Sequence, residues 1–511
     1  MATVNPIIPG FAPDPSIVRV GDTYYLVTST FQFFPGLPIF ASKDLVSWSQ
    51  IGNALHKPSQ ADLSKTAAKL SLWQKRELMV GNRGLYAPTI RYHNGTFYII
   101  CFNVTEATEG ESPDKEIQFI ISTKDIYSNQ WSEPVFYDWA GGDPSLFFED
   151  DRAYVQAARD HNIYQFEIDI NTGALLSEAR IILPNSGRKW AESPHIYKRG
   201  DYYYLLIAEG GCFEQHMICI ARSKELWGPY EPHPENPILT AFETDNYVQH
   251  IGHADFVEDT RGEWWAVCLG VRKKDNCYAL GRETFLTSVS WADNWPILSP
   301  VTIECVSDDK GSHKLPPSEG FKNVPNYLHI RRKDDSKYDV QPDGTIALVP
   351  GPYDLTAPHG DVTFIGKSQR VLFGSAKVRI WPLSSGNTTA GVHAGIALYK
   401  EEHRSLRLYH DWTTGEICFA GVNKPREFSV ERRQKLDFSG PLWLIMQYTE
   451  MGYMMSYQLE GSDEAVVLGE VHAQNMTNYD FVGPVIGLYA VHDGSAEAKK
   501  QAIKFTDFEV A

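Results

Sequence analysis

APDPSIVRVGDTYYLVTS, residues 12–29, carries the organisation of the first half of the chain. A small and polar entry leads into an apolar stretch, Gly21-Asp22 breaks it, and an aromatic, β-branched stretch follows. That is two strands joined by a tight hairpin. The unit returns as YAPTIRYHNGTFYIICF from Tyr86, GGDPSLFFEDDRAYVQAA from Gly141, AESPHIYKRGDYYYLLIA from Ala191 and IGHADFVEDTRGEWWAVC from Ile251. The first four copies keep register: Ser16 to Tyr25, Thr89 to Tyr98, Ser145 to Tyr154 and His195 to Tyr204 are each nine residues apart. The fifth is stretched by a longer turn around Thr260–Gly262. A second element trails several copies, SKDLVSW ending at Trp48, TKDIYSNQW at Trp131 and SKELW at Trp227, with SVSW at Trp291 a weaker echo. It reads as the turn and outer strand of the same unit. Copies roughly 50 to 75 residues apart match the blades of a propeller. The alternative is a β-sandwich with chance similarity, but register and motif order recur together. Five blades are expected.

After Trp295-Pro296 the pattern stops. Residues 306–325, VSDDKGSHKLPPSEGFKNVP, are polar and rich in Pro and Gly, as a linker is. From 326 to 511 short alternating strands such as SAKVRIWPL, AGIALYK, SLRLYHDW and LWLIMQYT, separated by Gly, Asn and Asp turns, predict an antiparallel β-sandwich. The chain is therefore expected to be all-β, with a propeller over 1–305, a linker over 306–325 and a sandwich over 326–511. One segment, SQADLSKTAAKLSLWQKRELM (59–79), reads as a helical or irregular insertion in the first blade.

Composition sets the remaining bounds. With 43% hydrophobic residues the 511-residue chain has material for a large core, which excludes global disorder. A formal charge of −17 repels phosphate backbones, so a nucleic-acid partner is not expected. No apolar run approaches the ~20 residues that span a bilayer, so no membrane partner is expected either. MATVNPIIPGFAPDP shows no signal peptide. The seven cysteines form no C-x-x-C pair, which leaves zinc without support, and their odd number leaves at least one free. These features favour the cytoplasm, although a mature secreted chain would read the same. Asn94, Asn103, Asn387 and Asn475 open N-x-S/T sequons, a number near chance.

A propeller brings the entry of every inner strand to the mouth of one channel. The aligned entries hold Asp14, Ala87, Asp143, Ser193 with Glu192 beside it, and Gly252 with His253 beside it. Three carboxylates and a histidine converge. Singly, Asp14 and Asp143 in D-P-S read as turn residues, and His253 as a satisfied core histidine; convergence changes that reading. Glycoside hydrolysis needs one carboxylate to take a proton from water and a protonated one to give a proton to the leaving oxygen. Inverting enzymes hold the two about 6.5–9.5 Å apart. A third carboxylate nearby raises the acid's pKa by like-charge repulsion.

NPIIPGFAPDPSIVRVGDTYYLVTSTFQFFPGLPIFASKDLVSW, GGDPSLFFEDD, AESPHIYKRGDYYYLLIAEGG, GHADFVE and LGRETF resemble, in order, the motifs of glycoside hydrolase family 43. The resemblance is to its β-xylosidases and α-L-arabinofuranosidases with an appended β-sandwich. It covers the whole propeller and extends more loosely over the sandwich. It implies five blades and an inverting mechanism, with Asp14 as general base, Glu192 as general acid and Asp143 tuning and orienting the acid. His253 falls on the family's channel histidine, Arg282 on its substrate-contacting arginine and Phe31 on a pocket-wall aromatic. Tyr86 stands where relatives often carry Trp before A-P, and Cys212 where they read E-G-G-T. Both flank the sugar subsites. No cofactor is required on this reading; the resemblance allows a Ca²⁺ on the channel axis near His253.

The expected activity is exo-acting release of a terminal pentose from xylan-derived oligosaccharides, β-D-xylose first. The alternative is α-L-arabinofuranosidase or dual activity on arabinoxylan. A non-catalytic carbohydrate-binding propeller is the rival of another class, and it has no need of three converging acids.

Overall fold

The computed structural model describes residues 5–73, 77–107, 114–188, 190–303, 326–383, 391–494 and 501–511. The linker expected over 306–325 and the sequon at Asn387 lie outside these residues. Five antiparallel sheets follow one another along the first 300 residues, each built outward from one of the repeated hairpins. Their innermost strands are Ser16–Val20, Gly84–His93, Gly142–Glu149, Glu192–Arg199 and Val248–Glu258. Each packs beside its neighbours, and the fifth packs against the first, so the ring closes. The expected five-bladed propeller is the fold observed.

Blades form because their middle strands are apolar on both faces. Thr23–Val27 (TYYLV) is buried throughout, whereas the outer strand Trp48–Leu55 is exposed or half-buried over its first three residues. Tight turns set the hairpins. Asn94 and Gly95 both adopt positive φ, 47° and 79°, the geometry whose twist matches paired strands. Asn5 clasps the ring: its side-chain amide donates to the carbonyls of Leu286 and Thr302, both at 2.9 Å, and its carbonyl accepts from Leu286 N–H at 3.0 Å. A buried side chain thus supplies what a further strand would.

The trailing motif lies where expected in blades 1, 2 and 4, beginning at the ends of strands Gly36–Ser42, Lys115–Thr123 and Met217–Ser223. In blade 5 the equivalent is ADNW, whose Trp295 opens the outer strand Trp295–Leu298. SVSW, ending at Trp291, lies inside the strand Glu283–Ala292. Within 59–79 the described residues form no helix. Lys69–Trp73 and Glu77–Gly81 pair as a β-hairpin. Alternating LSL favours a strand, and a third strand from the second domain, Tyr479–Asp480, completes the sheet in parallel with Glu77–Gly81.

The C-terminal domain is a sandwich of a seven-stranded and a six-stranded antiparallel sheet. Its core, including Ile396, Leu398, Leu406, Leu444 and Phe505, is almost fully buried. A second joint ties the domains: His329–Ile330 pairs with Phe33–Phe34 of blade 1. Phe11, Phe31, Phe33 and Phe213 of the propeller share one apolar cluster with Ile330, Tyr399 and Phe481 of the sandwich. The sandwich is therefore part of the wall around the propeller mouth. No helix among the described residues is long and apolar enough to cross a membrane.

Candidate active site

A single local irregularity, repeated five times, builds the site. At the entry of each inner strand one residue adopts a left-handed conformation: Asp14 (φ 52°), Ala87 (37°), Asp143 (49°), Ser193 (53°) and His253 (47°). In blades 2 to 5 the ladder skips at this place, between Tyr86 and Thr89, Gly142 and Ser145, Glu192 and His195, and Gly252 and Asp255. Such bulges re-aim side chains, and non-glycine residues held there store strain that the fold offsets elsewhere. The fifth entry is His253 itself rather than Gly252; the longer fifth turn shifts the alignment by one. Gly252 is equivalent to Glu192, and a Cβ there would lie 2.2 Å from His216 Nε2. The imidazole of His216 takes that place.

The ring thus offers Asp14, Asp143 and His253 from one layer and Glu192 and Tyr86 from the layer beside it. His253 Nδ1 lies 3.8 Å from Asp14 Oδ1 and 3.7 Å from Asp143 Oδ2. Asp14 is fixed on both oxygens: Ser29 Oγ–H donates to Oδ2 at 2.7 Å, and Arg282 Nη1 lies 3.3 Å from Oδ1. Asp143 Oδ2 accepts from Ser193 N–H at 3.1 Å, so it holds the backbone next to Glu192. Cys212 Sγ stands 4.0 Å from Glu192 Oε2, and its carbonyl accepts from Arg282 Nη2 at 3.0 Å. All eight residues singled out from the sequence meet here, with Phe31 and Tyr86 edge to face at 4.7 Å between centroids.

Charge around the pocket is unbalanced. Burial lowers His253, so at neutral pH it stays uncharged and Arg282 faces three carboxyl groups. Burial pushes Glu192 up to about 7, with Asp14 adding to the rise and Arg282 opposing it. Asp143 is also raised well above the usual carboxylate range, by burial first and then by Glu192 and Asp14. Burial comes first among the causes of Glu192's rise, a contribution the sequence reading did not weigh beside repulsion. The cluster retains a proton at neutral pH.

Beneath this layer the channel is sealed by a network that the sequence signalled only faintly, through polar residues two positions after each entry: Ser16, Thr89, Ser145, His195 and Asp255. Asp255 accepts from Ser16 Oγ (2.6 Å), Ile17 N–H (3.0 Å), Arg91 Nη1 (2.8 Å) and the Tyr197 hydroxyl, tying four blades. Burial would raise its pKa, but Arg91 and His195 hold it well below the usual range. A calcium ion on the axis would need six to eight oxygen ligands. His253 offers nitrogen, Asp255 is already engaged, and no group of three His, Cys, Asp or Glu among the described residues is placed to hold a metal. The residues present do not fit a directly ligated Ca²⁺.

One wall comes from outside the propeller. Phe481, in the sandwich, packs against Phe31 (6.0 Å), Tyr86 (6.2 Å) and Phe213 (5.8 Å), and the Arg282 guanidinium lies over it at 4.3 Å. No repeat or spacing links residue 481 to the propeller motifs, so sequence reasoning missed it.

A pocket that keeps a proton on its carboxyl cluster, beside a carboxylate oriented by Ser29 and Arg282, is equipped for glycoside hydrolysis, and the class of protein is a glycosidase. Comparison with known proteins narrows the class. The profile described as "Glycosyl hydrolases family 43" matches residues 3–296, and that of "Beta xylosidase C-terminal Concanavalin A-like domain" matches 325–511. The chain belongs to glycosyl hydrolase family 43. It is 42% identical to a xylosidase/arabinosidase of Butyrivibrio fibrisolvens, over 96% of this chain and 96% of that one. It is 33% identical to a non-reducing end alpha-L-arabinofuranosidase of Bacteroides ovatus, over 99% of this chain and 94% of that one. A solved xylan beta-1,4-xylosidase from Bacillus halodurans has a TM-score of 0.85 at 26% identity, covering 99% of this chain and 100% of that one.

Proposed function

We propose that this glycosidase is exo-acting and inverting and releases a terminal pentose from xylan-derived oligosaccharides, β-D-xylose first and α-L-arabinofuranose second. The observation that carries the exo reading is the closure of one side of the propeller mouth by Phe481. A groove crossing the mouth would admit the middle of a chain, whereas a pocket walled by Phe31, Tyr86, Phe213 and Phe481 admits an end. The pentose assignment is supported by the names of the relatives, and the second sugar is favoured specifically by the arabinofuranosidase among them. Parallel assays with p-nitrophenyl β-D-xylopyranoside and p-nitrophenyl α-L-arabinofuranoside test it. Turnover of at least one is expected. Activity on neither would overturn the substrate assignment, and comparable turnover of both would replace the ranking with dual specificity.

In this reading Asp14 takes a proton from the attacking water, and Glu192 gives its proton to the departing glycosidic oxygen. Arg282 holds Asp14 in place and borders the sugar, while Cys212, Tyr86, Phe31 and His253 line the subsite. Asp143 exchanges no proton. It orients Glu192 through Ser193 N–H, and when the proton that the cluster retains sits on Glu192, the charge then left on Asp143 disfavours ionisation of Glu192.

The sign of the pH dependence follows. A general acid works only while protonated, so kcat/KM should fall as pH rises through about 7, the value for Glu192. Asp143→Asn keeps the shape but removes the repulsion. Glu192 then ionises more readily, and the basic limb should move to lower pH, with the acidic limb moving less. The fitted limbs belong to the coupled cluster. A basic limb that stays in place while turnover collapses would show that Asp143 only positions.

A further inference from the structure

Phe481 is carried on a loop whose base holds four buried charges. Lys400 Nζ lies 2.9 Å from Asp480 Oδ2, and Arg404 Nη1 contacts the same oxygen. Arg404 also grips Glu401 with two bonds, at 2.6 and 2.7 Å. The side chains of Arg404 and Glu401 are fully buried and those of Lys400 and Asp480 nearly so. Two cations balance two carboxylates. Ion pairs this deep add little net stability over well-packed apolar groups, but they do specify geometry, since each charge must find its partner. The geometry specified here is that of residue 480, whose neighbour is the pocket wall.

The same strand end reaches the adjoining wall. Lys400 lies at the end of the strand Val392–Glu401, and its carbonyl accepts from Gln32 Nε2 at 3.0 Å. Gln32 is the neighbour of Phe31. The rest of the Phe481 loop is fastened separately: Asn423 Nδ2 donates to Asn478 Oδ1 at 2.6 Å, and the Tyr479 hydroxyl donates to Glu214 Oε1 at 2.6 Å. Tyr479–Asp480 also pairs with Met79 and Val80. Asp480 is the residue of the segment held by charge as well, and Lys400 is the member of the cluster bonded to the neighbours of both Phe481 and Phe31.

We propose that Lys400 is a positioning residue of the active site. Its side chain fixes Phe481 through Asp480, and its carbonyl holds Gln32 and so the Phe31 loop. One strand end of the sandwich therefore sets the placement of two stacked aromatic rings of the wall. The inference rests on Phe481 and Phe31 bordering the sugar. The experiment uses the full chain and p-nitrophenyl pentosides. Lys400→Met leaves Asp480 in contact with Arg404 but sets that one cation against two buried carboxylates, so folding of the variant is checked first. It should raise KM about tenfold with kcat within about threefold, the pattern of lost uniform binding, and leave both pH limbs in place. Phe481→Ala should raise KM at least as much, and the double variant should be no worse than Phe481→Ala alone, because the two changes act through one ring. Lys400→Arg, which restores the charge, should recover most of the lost affinity. If Lys400→Met does not yield folded protein, Lys400→Gln is the replacement, with KM raised about threefold.

Unchanged KM in Lys400→Met, or effects that add in the double variant, would overturn the proposal while leaving the pocket as described. Unchanged KM in Phe481→Ala would instead remove the wall itself, and the proposal with it.

Discussion

Glu192→Ala is expected to slow hydrolysis of xylooligosaccharides by a general-acid factor of roughly 10²–10⁴. A sugar alkoxide is a poor leaving group and needs its proton as the bond breaks. A nitrophenolate is a good one and needs little help, so loss on aryl pentosides should be much smaller. The basic limb of the pH profile should vanish with the carboxyl that produces it. Alanine leaves a small space beside Cys212 and Arg282 and does not disturb the bulge, because the left-handed residue is Ser193. Equal losses on natural and aryl substrates would give Glu192 a different role.

Asp14→Asn is the second large effect, and its signature is the opposite. Asparagine fits the left-handed position and retains a carbonyl oxygen for the Ser29 hydroxyl, so the channel mouth should keep its shape. It cannot take a proton from water. Turnover should fall by about 10²–10⁴, and by the same factor on oligosaccharides and aryl pentosides, because water activation does not depend on the leaving group. KM should change little, since the walls are untouched and Arg282, though it loses its carboxylate partner, keeps its bond to the Cys212 carbonyl. A loss that shrinks with better leaving groups would mean that Asp14 assists departure rather than attack.

The repeat made most of this architecture legible. Each inner hairpin carries its own turn and aromatic stretch, so five blades and three converging carboxylates followed from local pattern alone. The fifth entry was misplaced by one residue because its turn is longer, and only backbone conformation shows that His253, not Gly252, occupies the bulge. The hairpin at 69–81 was hidden because its completing strand, Tyr479–Asp480, lies some four hundred residues downstream. Phe481 was invisible for the same reason. Its part in the pocket is a contact between domains, and contacts between domains leave no periodicity. Asp255 and Arg91 fall between these cases. Their ring was present in the alignment as polar residues two places past each entry, but polarity alone does not separate a sealed channel floor from a solvated turn.

The central claim is that Asp14 and Glu192 act on one glycosidic bond through a single displacement by water. The anomer first released tests it most directly. With p-nitrophenyl β-D-xylopyranoside as substrate, proton NMR during the first minutes of turnover should show the α-anomer of xylose appearing first, with the β-anomer growing in later by mutarotation. If the β-anomer appears first, the reaction passes through a covalent intermediate, and Asp14 is not a base acting through water.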